Sequence, residues 1–386
     1  MVTNIKISII VPGRLHPFDM ALYFQKQGVL NELVTGYPKG YVVPFGIEKK
    51  YVKSLYINEI INRTTNKLGL GYPLDSFACD AFDWLAARTI KLDSNVYFIW
   101  SGYGELTIKK LRKKNPSAKV IIVRGSTHIV THNYLLKKIN NSVKNIINNR
   151  IIIKEQAEYQ LADYITVPST FARQTFLDQG IDPEKLFLNY LGVSLKQFPY
   201  NRRSRVDNSK LVFGNVGNLS IQKNVAAIIT VVEKIYETNK NIHLILTGAV
   251  EEQSFSRALL GKPFITYKGK VAQAELNKVY QEIDVFVINS VQEGMAMVQL
   301  QAMSSGCPLI STFNAGASDL IDDYQNGIAI PAFDNRSLLR AMEWFIDNQQ
   351  NISIMGNKSR QKTEKGFTWD EFGKRNMEFI QKILNR

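Results

Sequence analysis

The chain is expected to fold as an α/β protein with two parallel-sheet domains. Three observations carry that expectation. Strand, turn and helix signals alternate along most of the 386 residues, which is the rhythm of parallel sheets joined by crossover helices. That length is generous for one hydrophobic core and natural for two. The alternation also breaks once, at a polar, basic stretch from Gly192 to Arg205 that contains Pro199, and restarts at Leu211. Such a stretch reads as a linker.

The first half opens with an apolar strand, Ile5 to Val11, and a loop, Pro12-Gly13-Arg14-Leu15-His16-Pro17. A helix from Phe18 to Lys26 follows. Further strands are predicted at 95–100, 119–124 and 163–167, with helical periodicity at about 76–91, 103–114 and 133–161. Ser169 is placed as an N-cap before Phe171-Ala172-Arg173, with Gly180 as the stop. In the second half, strands are predicted at 211–216, 243–247, 265–268, 284–288 and 309–311. Helices are predicted at 225–236, 274–283, 335–349 and 368–385. The division that results is 1–195, a linker 196–205, 206–365, and a terminal helix in 366–386.

Composition excludes several classes. The chain is 45% hydrophobic and 21% charged, as globular proteins are. No apolar run approaches the roughly 20 residues that span a bilayer. The start, Met1 to Gly13, reads as a first strand rather than a signal peptide. Cys79 and Cys307 are two isolated cysteines and suggest neither a disulfide framework nor a metal cage. A cytoplasmic location is expected.

The net charge of +14 is uneven. Residues 1–204 hold 28 basic and 15 acidic side chains, and residues 205–365 hold 16 of each. The first half therefore expects an anionic partner. Nucleic acid is disfavoured: the most basic stretch, 105–154, has Tyr134 as its single aromatic, and single-stranded binders interleave aromatics with their cations. An apolar stripe (Leu135, Leu136, Ile139, Val143, Ile146, Ile147) flanked by Lys137, Lys138 and Lys144 instead suggests an interfacial helix on an anionic membrane.

The segment Ile283 to Gly327 is the richest in chemistry. A strand ends at Asn289-Ser290, Glu293 and Gly294 follow, and a helical pattern (Met297, Leu300, Met303) stops at Gly306 and Pro308. A second strand then leads to Gly316 and another helix start. In parallel α/β sheets ligands sit at the carboxyl ends of the strands, where helix N-termini attract phosphate. A first-turn acid complementing the helix dipole would be the plainer account of Glu293 alone. A second loop, Val216 to Asn224, also follows a strand and precedes a helix, and carries Lys223.

These two loops resemble the donor site of the retaining, nucleotide-sugar-dependent glycosyltransferases of family 4 (group 1). Those enzymes have the GT-B fold, in which two Rossmann-like β/α/β domains face a central cleft and the last helix crosses back to the first domain. The resemblance implies the same architecture here, with the nucleotide-sugar on the C-terminal domain and the acceptor on the basic N-terminal one. It assigns Lys223 to the diphosphate and Glu293 to the donor sugar hydroxyls, with Gly294, Met295, Ala296 and Met297 bringing helix amides to the phosphates. The family has a second Glu eight residues after the first, on the ribose; here that position is Gln301, whose amide can also bond vicinal hydroxyls. The first member of the family's basic pair is replaced by Asn218. Gly217 and Gly248 end strands beside the site, and Lys270 and Val271 stand where the family reads the base. Gly13 and Arg14 match the glycine turn near the diphosphate. His128, after the strand Lys119–Val123, is expected to orient a hydroxyl as a third catalytic residue. Gln299 is read as a surface residue.

His128 and His132 also have the spacing of a zinc pair, but no third ligand stands nearby, so no metal is expected. The Asp-x-Asp element of metal-dependent glycosyltransferases is absent from the sequence, as are a P-loop and a Gly-x-Ser-x-Gly elbow. No cofactor is expected beyond the co-substrate, a UDP-sugar. By the resemblance the acceptor is a lipid-linked saccharide or oligosaccharide of bacterial surface polysaccharide synthesis, met at the inner face of the membrane. A sugar-nucleotide epimerase of the same fold and, in another class, a basic nucleic-acid-binding protein are the alternatives.

Overall fold

The computed structural model describes residues 5–13, 16–56, 71–139, 147–200, 210–251 and 260–385, the side chains of 71–75 excepted. Arg14, the second half of the linker, Val143 and Ile146 of the apolar stripe and its flanking Lys144 lie outside the described residues.

Two parallel sheets form the molecule. The first holds β1 (Ile7–Val11), β2 (Leu30–Thr35), β3 (Val52–Ser54), β4 (Val96–Trp100), β5 (Lys119–Val123), β6 (Tyr164–Val167) and β7 (Leu186–Leu188). Its order is β3-β2-β1-β4-β5-β6-β7. The second holds β8 (Leu211–Val216), β9 (Ile242–Thr247), β10 (Ile265–Tyr267), β11 (Val285–Ile288), β12 (Leu309–Thr312) and β13 (Gly327–Ile330), in the order β10-β9-β8-β11-β12-β13. Both orders reverse beside their first strand, between β1 and β4 and between β8 and β11. That reversal opens a crevice at the carboxyl ends, the place where doubly wound sheets bind ligands.

The strands are apolar on both faces because helices cover both. Side chains alternate between two cores as the strand period of two demands. Ile7, Ile9 and Val11 of β1 join Phe98 and Ile121 on one face, while Ile10 joins Tyr97, Ile99 and Val120 on the other. In the second sheet Phe286 and Ile288 face one core, and Val285 and Val287 the other. One of these cores is shared: Phe24 and Phe98 of the first domain, Phe286 and Leu300 of the second, and Phe372 and Ile380 of the last helix belong to a single cluster.

That last helix, Trp369–Leu384, is capped by the Thr368 hydroxyl, which accepts from the Glu371 amide at 3.2 Å. Its buried stripe, Phe372, Asn376, Ile380 and Ile383, crosses back onto the first domain and packs on the helix Pro17–Lys26. Arg375 secures the crossing: it donates to Asn189 Oδ1 at 2.8 Å and to the carbonyls of Gly366 and Tyr190 at 2.8 and 2.7 Å.

Some elements differ from expectation for local reasons. β2 carries Glu32, a buried acid that disrupts the apolar signature; it accepts from the Lys91 amide at 2.7 Å and pairs with Lys53 at 3.5 Å. The region expected as one helix over 133–161 contains two, Ile129–Ile139 and Asn149–Leu161, the second capped by Asn148, whose side chain accepts from the Arg150 amide. The helix Ile352–Glu364 lacks a clear apolar period because Gly356 sits where it meets the backbone of Gly306; a Cβ there would lie 2.1 Å from the Gly306 oxygen.

Candidate active site

The two loops that carry chemistry meet at the crevice of the second sheet. One leaves β8 and the other leaves β11, the neighbouring strands of the reversal. Gly248, after β9, is what lets the first loop turn. Its φ is +148° and a Cβ would fall 1.9 Å from the Gly217 oxygen, so only glycine fits. The loop brings Lys223 onto Glu293, where Nζ and Oε1 form an ion pair with both side chains mostly buried. Ser290 Oγ lies 3.4 Å from the same carboxylate, and the Glu293 amide donates to the Asn314 carbonyl at 3.0 Å. Lys223 and Glu293 are thus held together by two separate loops.

The helix Met297–Ser304 starts just beyond. Its N-cap is Ala296, which provides no side-chain cap; the Gln299 amide turns back to the Ala296 carbonyl at 3.0 Å, and the amides ahead of it face out of the helix end. Met295 and Ala296 are buried; Met297 is half-buried. Gln301 does not share Glu293's surroundings, because Glu293 precedes the helix rather than lying on it. Gln301 Oε1 accepts from the buried Tyr280 hydroxyl at 2.9 Å. Gln301 also lines a cavity of about 350 Å³ between the domains, with Met297 and Gln273 on one side and Phe18, Asp19 and Leu22 on the other. Gln299 is fully buried rather than on the surface: its amide donates to the Ala315 carbonyl at 2.7 Å and its Oε1 accepts at 2.5 Å from Ser311, stapling helix to strand.

Around this centre the expected residues divide. Gly217 lines the Lys223 turn, its position 3.6 Å from Lys223 Cε for a notional Cβ. Asn218 is exposed and donates to Glu251. Lys270 is exposed and Val271 packs on the shared core. Gly13 follows β1 with open space around it, so nothing there demands glycine.

His128 is a correction. It is buried, packed against Tyr159 and Phe176 at ring distances of 5.1 and 5.0 Å, and its Nδ1 accepts from the Val130 amide at 3.3 Å. Its aromatic neighbours belong to the first domain's own core rather than to the cleft. Burial, reinforced by Arg124, holds its pKa down at about 4. His132 is likewise lowered to about 3 and its Nδ1 lies 3.3 Å from an Arg124 nitrogen. Among the described residues no group of three or more His, Cys, Asp or Glu side chains could hold a metal ion. His16, which the sequence showed only as part of a loop, is the histidine under the seam. It packs on Trp100 at 4.7 Å, and burial lowers its pKa to about 3.

The first domain closes directly over the Glu293 loop. A Cβ on Gly294 would lie 2.1 Å from the Gly125 oxygen. Ser169 Oγ donates to the Gly294 carbonyl at 2.5 Å, and Thr170 donates its amide to Asp319 at 2.8 Å. Gln292 reaches Ser126 and Thr127 across the same seam. No periodicity or spacing marked Gln292 or Asp319, and Ser169 was marked only as a helix cap, because long-range partners leave no local trace.

Residues 197–365 match the family model described as glycosyl transferases group 1. A sulfoquinovosyl transferase of Arabidopsis thaliana is 26% identical over 211 residues, covering 54% of this chain and 40% of that protein. The first curated relatives are matched over about half of their own length. Solved structures resemble the whole chain, among them the following two. Sucrose-phosphate synthase from Thermosynechococcus elongatus has a TM-score of 0.73 at 14% identity and covers 99% of this chain and 100% of its own. Anabaena Alr3699/HepE in complex with UDP has a TM-score of 0.69 at 13% identity and covers 98% and 100%. Residues 197–365 therefore resemble the glycosyl transferases group 1, and the whole chain has the two-domain GT-B fold.

Proposed function

We propose that the chain is a retaining glycosyltransferase that takes a sugar from a nucleotide-sugar, a UDP-sugar, and needs no metal. The observation that carries this reading is the Lys223–Glu293 pair at the mouth of an uncapped helix, under a second domain that closes on it. In the reading, the diphosphate draws Lys223 and the amides at 295–298, and Glu293 turns to the sugar hydroxyls. The acceptor hydroxyl approaches the face that the leaving group departs from. Its oxygen bonds to the anomeric carbon as the carbon–phosphate-oxygen bond breaks, and its proton passes to that departing phosphate oxygen. Lys223 and the helix amides stabilise the charge gathering on the diphosphate. No protein nucleophile is involved, which suits a seam whose own histidine, His16, is buried with its pKa lowered to about 3.

The nucleoside falls to the cavity lined by Gln301 and Gln273. A thermal-shift screen of UDP-, GDP- and dTDP-sugars tests the donor, since a ligand bound to the native state raises its stability by RT ln(1 + [L]/Kd). A selective shift with a UDP-sugar is expected; no shift with any nucleotide-sugar would sink the reading.

The acceptor is a lipid-linked or oligosaccharide chain met by the basic N-terminal domain, at an anionic membrane on the cytoplasmic side. Charge supports this; the apolar stripe supports it less, because Leu136 is buried and Ile147 packs on the domain's own core. Among the described residues no helix is long and apolar enough to cross a membrane. Co-sedimentation with anionic liposomes at low salt checks the membrane contact, and equal, negligible pelleting with and without anionic lipid would refute it.

A further inference from the structure

Gln292 directly precedes Glu293, and its side chain leaves its own domain. It is fully buried, and Nε2 donates to Thr127 Oγ1 at 2.8 Å and to Ser126 Oγ. Both acceptors stand in the loop after β5, in the other domain. The backbone of Gln292 is tied elsewhere: its carbonyl accepts from Gln222 Nε2 at 2.8 Å, and the Val291 amide donates to the Gln222 carbonyl at 2.9 Å. Gln222 is the residue before Lys223. Three loops therefore converge on one residue: the Lys223 loop, the Glu293 loop, and the first domain's loop at 125–127.

The other end of the amide is unsatisfied. Gln292 Oε1 is buried and has no hydrogen-bond partner among the described residues. A buried polar atom left unpaired is costly, and native interiors contain few. Stability alone does not explain an amide here; what its nitrogen does across the seam explains it.

We propose that Gln292 is a positioning residue that couples domain closure to the geometry of the Lys223–Glu293 pair. Its amide finds Ser126 and Thr127 only when the domains meet. Meeting them fixes the backbone that carries Glu293 and, through Gln222, the turn that carries Lys223. Closure thereby completes the site rather than merely covering it, as in other hinge-closing enzymes. The proposal rests on the reading of Lys223 and Glu293 as donor-site groups.

The test is a cycle of Gln292→Ala, the pair Ser126→Ala with Thr127→Val, and the triple variant. The pair attacks the clasp from the other domain, so the test survives if either variant folds poorly. Closure is read by energy transfer between dyes on Lys113→Cys and Glu237→Cys; the native Cys79 and Cys307 are buried and spared the label. Transfer kinetics and UDP affinity by calorimetry are read in parallel. The expected result is a reduced closed population in both single arms. kcat falls roughly 10- to 100-fold while UDP Kd stays within about threefold. Gln292→Ala costs little further once both hydroxyls are gone, because groups in one network are not additive. Unchanged closure in both arms, or a Gln292→Ala loss that is undiminished without the hydroxyls, would overturn the proposal. A wild-type chain that neither binds nucleotide nor transfers sugar would instead remove the functional reading, and the energy-transfer cycle would still decide the clasp.

Discussion

Gly294→Ala should separate domain closure from donor binding. Gly294 is not in the left-handed region, so alanine can adopt its backbone, and the effect is steric. The new Cβ would lie 2.1 Å from the Gly125 oxygen, 2.6 Å from the Gly125 carbonyl carbon and 2.8 Å from Pro168 Cγ. All three atoms belong to the other domain and two are backbone, so no side chain can swing aside. The seam must retreat by about 1 Å to restore ordinary contact. Overpacking of this kind costs about 1–3 kcal/mol, which shifts a two-state equilibrium by about 5- to 150-fold. The cost falls on the closed state alone. kcat should therefore drop by about 10- to 100-fold, while the Kd for UDP, whose polar partners Lys223, Gln273 and Gln301 all stand on the C-terminal domain, changes by less than about threefold and Tm changes little. Gly248→Ala is the contrast. Its clash is with Gly217 inside one domain, so it should lower Tm and donor affinity together. Steady-state kinetics, calorimetry with UDP and thermal unfolding on both variants decide the matter. Wild-type kcat in Gly294→Ala would refute the reasoning, because it would mean that the enzyme turns over without this contact.

The remaining predictions concern the charged pair, the ribose position and pH. Lys223→Ala should lower kcat by about 10²–10³, the scale for one lost electrostatic contact in a transition state; Glu293→Ala should harm donor KM and kcat together, and a wild-type profile for either would remove that residue from the site. Gln301→Glu should keep donor binding within about tenfold, because a carboxylate can still accept from the Tyr280 hydroxyl; complete loss of UDP affinity would show that its amide N–H groups are what the ligand needs. Acid should destabilise the fold. His16, His128 and His132 have folded pKa values of about 3, 4 and 3, below the ordinary value near 6.5, so the unfolded chain takes up their protons first as pH falls below about 6.5. Glu158 opposes them: burial raises its pKa to about 8, so between about pH 8 and 4.5 it is the folded state that holds the proton. The net uptake by these four groups on unfolding near pH 5.5 is about two protons, a loss of roughly 3 kcal/mol per pH unit. Urea unfolding at pH 7 and pH 5.5 checks it, and equal stability at both would contradict the burial of these histidines.

The sequence made the scaffold legible where the physics is local. Apolar runs such as Ile7–Val11 and Val285–Ile288 betray strands covered on both faces. Ser169 announced its cap, and its hydroxyl does accept from the Ala172 amide. Of the three-residue edge strands, β10 was legible but β3 and β7 were not, because so short a run carries no period of its own, and β2 was hidden because Glu32 is an acid held inside by distant partners. In the site, the loop after β11 was readable because a turn, an acid and a helix start are adjacent in the chain. What the chain separates was not. His128 looked like a cleft residue from its position after a strand, yet its ring is claimed by Tyr159 and Phe176, 31 and 48 positions away in numbering. Gln292 carried no signal, since its partners are more than a hundred residues upstream.

The most direct test of the central claim is the anomeric configuration of the product. The purified chain, dialysed exhaustively against EDTA, is incubated with an α-linked UDP-sugar and a lipid-linked saccharide acceptor, and the new linkage is read by proton NMR before any mutarotation. An α-glycoside, formed without added metal and lost in Lys223→Ala, is the predicted result. A β-glycoside, or turnover that appears only when Mg²⁺ or Mn²⁺ is restored, would contradict a retaining mechanism run by Lys223, Glu293 and the helix amides.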